Sequence, residues 1–205
     1  MHRLIAQSLA KRFGALAVFS DISFELQSGQ SLAVVGPNGS GKSTLLMLLL
    51  GMYQPTRGAV VFKDGDALMD EDAIRRKSAL VSPYLSLYDN LTAEENLVFL
   101  VTVSGGNVTG KRINELLSLV GLEGRGMDPV GSYSSGMKQR LKYAAALVKE
   151  PAFLFLDEPM SNLDDQGKQM VRDVIEQLRG QAVIVLGTNE QEDYGLADGI
   201  CRVGR

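Results

Sequence analysis

The chain has 205 residues, of which 45% are hydrophobic and 22% charged, and its formal net charge is −3 at pH 7. This length suffices for one domain with a full core, and the slightly acidic balance gives no basic excess that would indicate a nucleic-acid-binding surface. The single cysteine, Cys201, excludes a disulfide within the chain, and we expect the only histidine, His2, to lie at a mobile terminus.

The first third of the chain is predicted to consist of strands followed by one buried helix. Residues 21–26 alternate between apolar and polar, and residues 32–35 form a short apolar run typical of a buried strand. Residues 43–50 are apolar nearly all round, which predicts a helix inside a larger core, and Gly51 is placed to end it. A further strand is predicted at residues 59–62.

The middle third changes to helical patterns. Thr92 followed by Glu95 fits a capping box, so a helix is expected to begin directly after Thr92. Apolar residues within 113–120 recur at helical spacing and predict a second helix. We interpret residues of about 89–131 as a helical insertion.

The last third returns to alternating strands and helices. Residues 153–156 and 182–186 read as buried strands, and residues 171–178 carry the apolar spacing of an amphipathic helix. This order predicts an α/β fold with a mostly parallel sheet and helices on both faces, preceded by an N-terminal antiparallel β portion.

A phosphate-binding loop pattern, Gly-x-x-x-x-Gly-Lys-Ser, follows the predicted strand at residues 32–35. Its glycines let backbone N–H groups approach a phosphate, and the following helix directs its positive dipole end there. Lys42 is expected to reach the β- and γ-phosphates, and the Ser43 hydroxyl to bind Mg²⁺. The alternative is a glycine-rich turn without a ligand. The residues predicted to bind nucleotide here are Gly36, Pro37, Asn38, Gly39, Ser40, Gly41, Lys42, Ser43 and Thr44.

Two carboxylates, Asp157 and Glu158, end the predicted strand at residues 153–156. In open α/β sheets ligands bind at this edge, so Asp157 is expected to hold Mg²⁺ and Glu158 to polarise a water molecule against the γ-phosphate. The alternative is a solvated strand end that has no catalytic role.

Two further stretches point to a particular kind of NTPase. Tyr133-Ser-Ser-Gly-Met-Lys-Gln-Arg140 lies 17 residues before Asp157, and Ser161-Asn-Leu-Asp164 follows Glu158. With the motifs above, they resemble the ATP-binding-cassette (ABC) ATPases over essentially the whole chain. The first stretch is similar to the family's signature motif and the second to its D-loop. Phe13 stands where the family places an aromatic ring that stacks on adenine, although a core position is the alternative.

The resemblance implies a P-loop NTPase-type fold, ATP and Mg²⁺ as cofactors, and head-to-tail pairing of two such domains, here as a homodimer. Ser134, Ser135 and Gly136 would then act on ATP bound to the other copy. It also implies a single ABC ATPase domain over residues 1–205. Residues of about 1–88 and 132–205 would form its ATP-binding core, and about 89–131 a helical subdomain.

Two positions depart from the family pattern. The family usually has a glutamine where Pro83 or Tyr84 stands here, and a histidine where Asn189 stands. Proline cannot coordinate or donate, and asparagine can hydrogen-bond to a phosphate oxygen but cannot become cationic. We therefore expect slow but real ATP hydrolysis, with Asn189 among the catalytic residues. The alternative is an ATP-gated regulatory clamp that hardly turns over.

A chain that consists of little more than one cassette resembles the ATP-binding subunit of a membrane transporter. Its small size resembles that of the haem-exporter subunit used in cytochrome c maturation. This implies an Mg-dependent ATPase that drives export. No apolar stretch reaches the roughly 18 residues of a membrane helix, and no signal peptide is evident. We therefore expect a cytoplasmic protein, held at the inner face of the cell membrane by a permease partner and without a nucleic-acid partner. Residues 84–99 are the expected permease face, with plain core packing as the alternative.

Overall fold

A computed structural model describes residues 1–204, which form nine strands, six α-helices and two 3₁₀ turns. The strands are β1 (His2–Phe13), β2 (Leu16–Gln27), β3 (Ser31–Val35), β4 (Arg57–Asp64), β5 (Ala67–Leu68), β6 (Ser78–Val81), β7 (Phe153–Asp157), β8 (Val183–Thr188) and β9 (Gly199–Arg202). The helices are α1 (Lys42–Leu49), α2 (Glu71–Lys77), α3 (Ala93–Val103), α4 (Gly110–Leu119), α5 (Ser135–Leu147) and α6 (Asp165–Leu178), and the 3₁₀ turns are Val130–Ser132 and Gln191–Leu196.

The strands form two sheets. One is entirely parallel, in the order β6-β7-β8-β3-β9, and the other is antiparallel, in the order β2-β1-β4-β5. The predicted α/β fold with an N-terminal antiparallel portion is confirmed. The expectation of a mobile terminus is wrong for His2, which lies in β1 with its ring edge-on to Phe153 at 5.6 Å between centroids.

The parallel sheet separates two hydrophobic cores. In β7, Leu154 and Leu156 face one core, and Phe153 and Phe155 face the other. Helices α3 to α6 pack in the first core, whereas α1 and the antiparallel sheet fill the second. Because successive side chains of a strand point to opposite faces and both faces are covered, every residue of β3, β7 and β8 is buried.

The predicted capping box begins α3. The Thr92 hydroxyl accepts a hydrogen bond from the Glu95 N–H at 3.1 Å, and the Glu95 carboxylate accepts one from the Thr92 N–H at 2.8 Å. After α4 the chain returns to the start of the predicted insertion, where the Gly131 N–H donates to the Asp89 carbonyl at 2.8 Å. Helices α3 and α4 share a core with α5, and the division into an ATP-binding core and a helical subdomain stays a prediction.

The register of the parallel strands brings three loops together. Val35 pairs with Thr188 across β3 and β8, and Asp157 pairs with Gly187 across β7 and β8. The loops that follow β3, β7 and β8 therefore leave the same edge of the sheet side by side. This is the edge at which open α/β sheets bind ligands.

Candidate functional site

A cleft of about 1070 Å³ lies at this carboxyl edge of the parallel sheet. It brings together the phosphate-loop pattern, both carboxylates that follow β7 and the loop after β8. Most of the predicted site residues line it: Phe13, Asn38, Gly39, Gly41, Lys42, Ser43, Thr44, Asp157, Glu158 and Asn189. Gly36, Pro37 and Ser40 belong to the same loop, whereas Ser134, Ser135 and Gly136 do not line the cleft.

The loop between β3 and α1 requires glycine at two positions. A Cβ atom on Gly36 would lie 2.2 Å from the Val203 carbonyl oxygen, and one on Gly41 would lie 2.4 Å from Val18 Cγ1. Gly41 also has a φ of 106°, a conformation that other residues adopt only with strain. The loop thus presents bare backbone at the positive end of α1, and the buried Ser40 hydroxyl has no hydrogen-bond partner among residues 1–204. Such a cradle suits a phosphate group.

Lys42 places a buried cation under this loop, with only 5% of its side chain exposed. Its Nζ atom donates to the Gly36 carbonyl at 3.0 Å and to the Pro37 carbonyl at 3.4 Å. It also lies 3.4 Å from Oε1 of Glu158. The ammonium therefore stands between the loop and the end of β7, within reach of an anion bound at either.

Ser43 and Asp157 form a pair of hard oxygen ligands. The Ser43 hydroxyl donates to Asp157 Oδ1 at 3.0 Å. Burial raises the pKa of Asp157, and the hydrogen bond from Ser43 and the charge of Lys42 oppose that rise. Within the described part of the chain no three His, Cys, Asp or Glu side chains cluster as a metal site. The pair suits Mg²⁺, which prefers carboxylate and hydroxyl oxygens and commonly takes further ligands from substrate phosphates.

Glu158 follows β7 in a strained backbone conformation. Its φ is 48°, in the left-handed region, and its N–H donates to the Gly187 carbonyl at 2.8 Å. Burial raises the pKa of its carboxyl, whereas Lys42 and the backbone N–H of Asn189 lower it. Backbone strain of this kind occurs at functional sites and lowers the stability of the folded chain by about 1–3 kcal/mol. Here it accompanies a side chain that is directed into the cleft.

Asn189 lines the cleft without capping a helix. The 3₁₀ turn that follows begins at Gln191, and its N-cap residue, Glu190, forms no side-chain cap. The Glu190 N–H donates instead to the Thr188 hydroxyl at 3.0 Å, so Asn189 has no helix-capping role. Sequence reasoning missed Thr188 and the buried Asp193, whose 2.7 Å hydrogen bond holds this loop.

Phe13 lies on the wall of the cleft and is 46% exposed, so the core alternative is wrong for this side chain. Its ring packs edge-on against Tyr53 at 5.8 Å between centroids, and Lys11 Nζ lies 4.8 Å from the ring centre. Stacking on adenine stays a prediction. Leu16 and Val18 extend the same wall and were not predicted, because only the pairing of β1 with β2 places them beside Phe13.

The signature-like stretch lies at the start of α5, outside the cleft. Ser134 is the N-cap residue of α5, and its hydroxyl accepts a hydrogen bond from the Met137 N–H at 3.2 Å. Arg140, one turn further, joins Asp164 at 2.7 Å. This ion pair holds α5 to the D-loop-like stretch, of which Ser161, Asn162 and Leu163 do line the cleft.

One family model and several known proteins match most of this chain. The model of the family described as ABC transporter matches residues 19–161. The ABC transporter ATP-binding protein YxlF of Bacillus subtilis is 34% identical over 200 residues, which are 97% of this chain and 65% of that protein. The lantibiotic transport ATP-binding protein SrtF of Streptococcus pyogenes is 34% identical over 88% of this chain and 76% of its own. The sulfate/thiosulfate import ATP-binding protein CysA of Synechocystis is 33% identical over 93% of this chain and 54% of its own.

Solved structures agree with this result. The ATP-binding subunit of an ABC transporter superposes with a TM-score of 0.86 at 26% identity, covering 98% of this chain and 85% of that one. An ATP-binding cassette solved as a dimer after hydrolysis, bound to ADP and Pi, has the same fold, with a TM-score of 0.84 at 23% identity over 98% of this chain and 94% of its own. None of the helices within residues 1–204 is both long and apolar enough to cross a membrane.

Proposed function

This chain belongs to the ABC transporter family, and we propose that it is the ATP-binding and ATP-hydrolysing subunit of a membrane transporter. The observation that supports this most is the convergence of Lys42, the Ser43–Asp157 pair and Glu158 on one cleft beside a bare glycine loop. These groups come from two separate stretches of the chain, residues 36–43 and residues 157–158. Each suits one part of a magnesium-bound nucleoside triphosphate.

The proposed roles follow from the geometry. The backbone N–H groups of the loop and Lys42 hold the phosphates, and Phe13 supplies a flat apolar surface for the base. Ser43 and Asp157 hold Mg²⁺, which when bound neutralises charge on the phosphate oxygens. Glu158 orients the attacking water and accepts its proton, since its position beside Lys42 keeps the carboxylate available as a base.

Phosphate release from the purified chain tests this function. We expect slow release with ATP and Mg²⁺, and none when EDTA removes the metal, because Ser43 and Asp157 lose the ion that they hold for the phosphates. The rival function is an ATP-gated regulatory clamp, which would bind ATP and release no phosphate above the background of a Glu158→Gln sample. That result would reject the hydrolytic role and leave the binding role standing.

We further propose that the working unit contains two copies of the chain. Ser134, Ser135 and Gly136 lie outside the cleft, so they are free to meet ATP held by a second copy. The stretch 161–163 lines the cleft next to them and would lie at the same junction. The post-hydrolysis cassette with the same fold was solved as a dimer, which agrees with this arrangement.

The proposed membrane partner is a permease that docks on residues 84–99 at the inner face of the cell membrane. Tyr84 is 78% exposed, and Tyr88 packs its half-exposed ring edge-on against Phe99 at 5.0 Å. Leu87 is partly buried and packs on the core, so it offers less surface than expected. Exposed aromatic side chains of this kind favour a protein interface.

Export is our proposed direction, with haem delivery for cytochrome c maturation as the finer hypothesis. The resemblance to the haem-exporter subunit supports export. The named relatives include an import protein, so family membership alone leaves the direction open. Purification of the permease that this chain pulls down, followed by transport into inverted vesicles, would decide both points. Transport of substrate only in the direction that corresponds to import into the cell would reject export.

Asn189→His is expected to raise the rate of phosphate release about fivefold, or on the order of 1 kcal/mol in the barrier. Asn189 lines the cleft beside Glu158, and a histidine there can donate a charge-assisted hydrogen bond to the γ-phosphate. Glu190→His is the matched control, since Glu190 lines the same cleft one residue further on. Flat or reduced turnover for Asn189→His, with a melting temperature equal to that of the parent, would reject a γ-phosphate role for position 189.

A further inference from the structure

One buried lysine of helix α5 has no place in the functions described above. Lys142 is 9% exposed, and its Nζ atom donates to the carbonyls of Ser82 and Pro83, each at 3.1 Å. Burial lowers the pKa of Lys142. A buried ammonium is costly unless it is hydrogen-bonded, so these two carbonyls compensate for the lysine's loss of water.

The carbonyls belong to the first residues after β6, where the chain enters the wall of the cleft. Pro83 and Tyr84 both line the cleft that holds Lys42 and Glu158. Pro83 has no N–H with which to join a neighbouring strand. The Tyr84 N–H bonds only locally, to the Ser82 hydroxyl at 3.2 Å. Lys142 thus ties Ser82 and Pro83 to α5, whereas the Asn96 side chain of α3 holds Tyr88 further along.

A second lysine makes the same kind of contact at the opposite end of β6. Lys149, just beyond α5, donates to the carbonyls of Arg75 and Ser78 at 3.0 and 2.8 Å, and burial lowers its pKa as well. Both lysines therefore bind two backbone carbonyls next to β6. Only the Lys142 contact adjoins the cleft, because parallel strands direct their carboxyl ends toward it.

We propose that Lys142 is a positioning residue for ATP hydrolysis: it holds Pro83 and Tyr84 in place at the cleft and links them to α5. The same helix carries Ser134 at its N-terminus, where the second copy is proposed to bind. Movement of α5 on pairing would therefore reach the cleft wall through this lysine. This inference rests on the proposed ATPase function.

Lys142→Met tests the proposal with Lys149→Met as its matched control. Methionine keeps the length and the apolar stem but cannot donate, so each variant removes the lysine's hydrogen bonds to two backbone carbonyls. We expect Lys142→Met to lower kcat about tenfold with KM for ATP within about twofold, because small displacements at a reacting centre reduce rate more than binding. Lys149→Met should lower the melting temperature similarly and keep kcat near that of the parent. Lys142→Arg, which retains a donor, should recover part of the rate.

Hydrogen–deuterium exchange supplies a readout that does not depend on catalysis. Amides in peptides covering residues 82–88 should exchange faster in Lys142→Met than in Lys149→Met, because only the first loses its tie to α5. Equal kcat values in the two variants, or equal exchange rates over this segment, would overturn the proposal. Phosphate release that persists in Glu158→Gln would instead reject the proposed function, and the exchange comparison would still test the positioning role of Lys142.

Discussion

Lys42→Ala is expected to abolish ATP binding at micromolar nucleotide while leaving the chain folded. The ammonium is buried beneath the phosphate loop and lies 3.4 Å from Oε1 of Glu158. A hydrogen bond to a charged group contributes about 1.5–3 kcal/mol, so the loss of contacts to two phosphates should weaken affinity on the order of a hundredfold or more. Titration of a fluorescent ATP analogue measures the change, and a thermal melt confirms that the variant is folded.

The control for Lys42→Ala is Lys168→Ala, which removes a positive charge from the same cleft at α6. If general electrostatic attraction dominated binding, both variants would lose similar affinity and both would depend on salt. If Lys42 acts through direct contact, Lys168→Ala should bind ATP nearly as the parent does. Unchanged affinity in Lys42→Ala would reject the phosphate-loop assignment.

The features that could be predicted from the sequence are local ones. The capping box of Thr92 and Glu95 needs only residues three positions apart, and both predicted hydrogen bonds are present. The buried strands were recognisable because a parallel sheet covered on both faces produces continuous apolar runs. The phosphate loop was recognisable because close backbone approach to an anion restricts its residues to glycine at fixed spacing.

The features that could not be predicted depend on contacts between distant parts of the chain. Lys142 meets the Ser82 carbonyl across 60 positions of sequence, and no local pattern distinguishes it from a surface lysine of a helix. The position of Lys168 at the cleft likewise depends on the packing of α6 and not on a local sequence pattern. Thr188 lies beyond the strand predicted at residues 182–186, and its partner Asp193 lies in a 3₁₀ turn that has no apolar period, so no local pattern joined the two.

Glu158→Gln is expected to reduce phosphate release by about 10²- to 10⁴-fold, the usual contribution of a general base. The amide can still accept a hydrogen bond from water or from Lys42 but cannot take the proton of the attacking water. The strained backbone at φ 48° and the bond from the Glu158 N–H to Gly187 do not involve the side chain, so the glutamine should occupy the same place. Steady-state phosphate release measures the loss, with Glu190→Gln as the matched control at a neighbouring carboxylate of the cleft.

The same substitution should also trap the paired state, because ATP that is bound and not hydrolysed continues to join two copies. Gel filtration with Mg²⁺ and ATP is expected to show a dimer for Glu158→Gln and a monomer when ATP is left out. The double variant Glu158→Gln, Ser134→Trp distinguishes pairing from ATP binding. A bulky side chain at the N-terminus of α5 should block pairing. Because Ser134 does not line the cleft, the double variant should still bind ATP. A Glu158→Gln protein that binds ATP and stays monomeric at high concentration would contradict pairing through bound ATP, and the assignment of Ser134, Ser135 and Gly136 to a second copy would then be wrong.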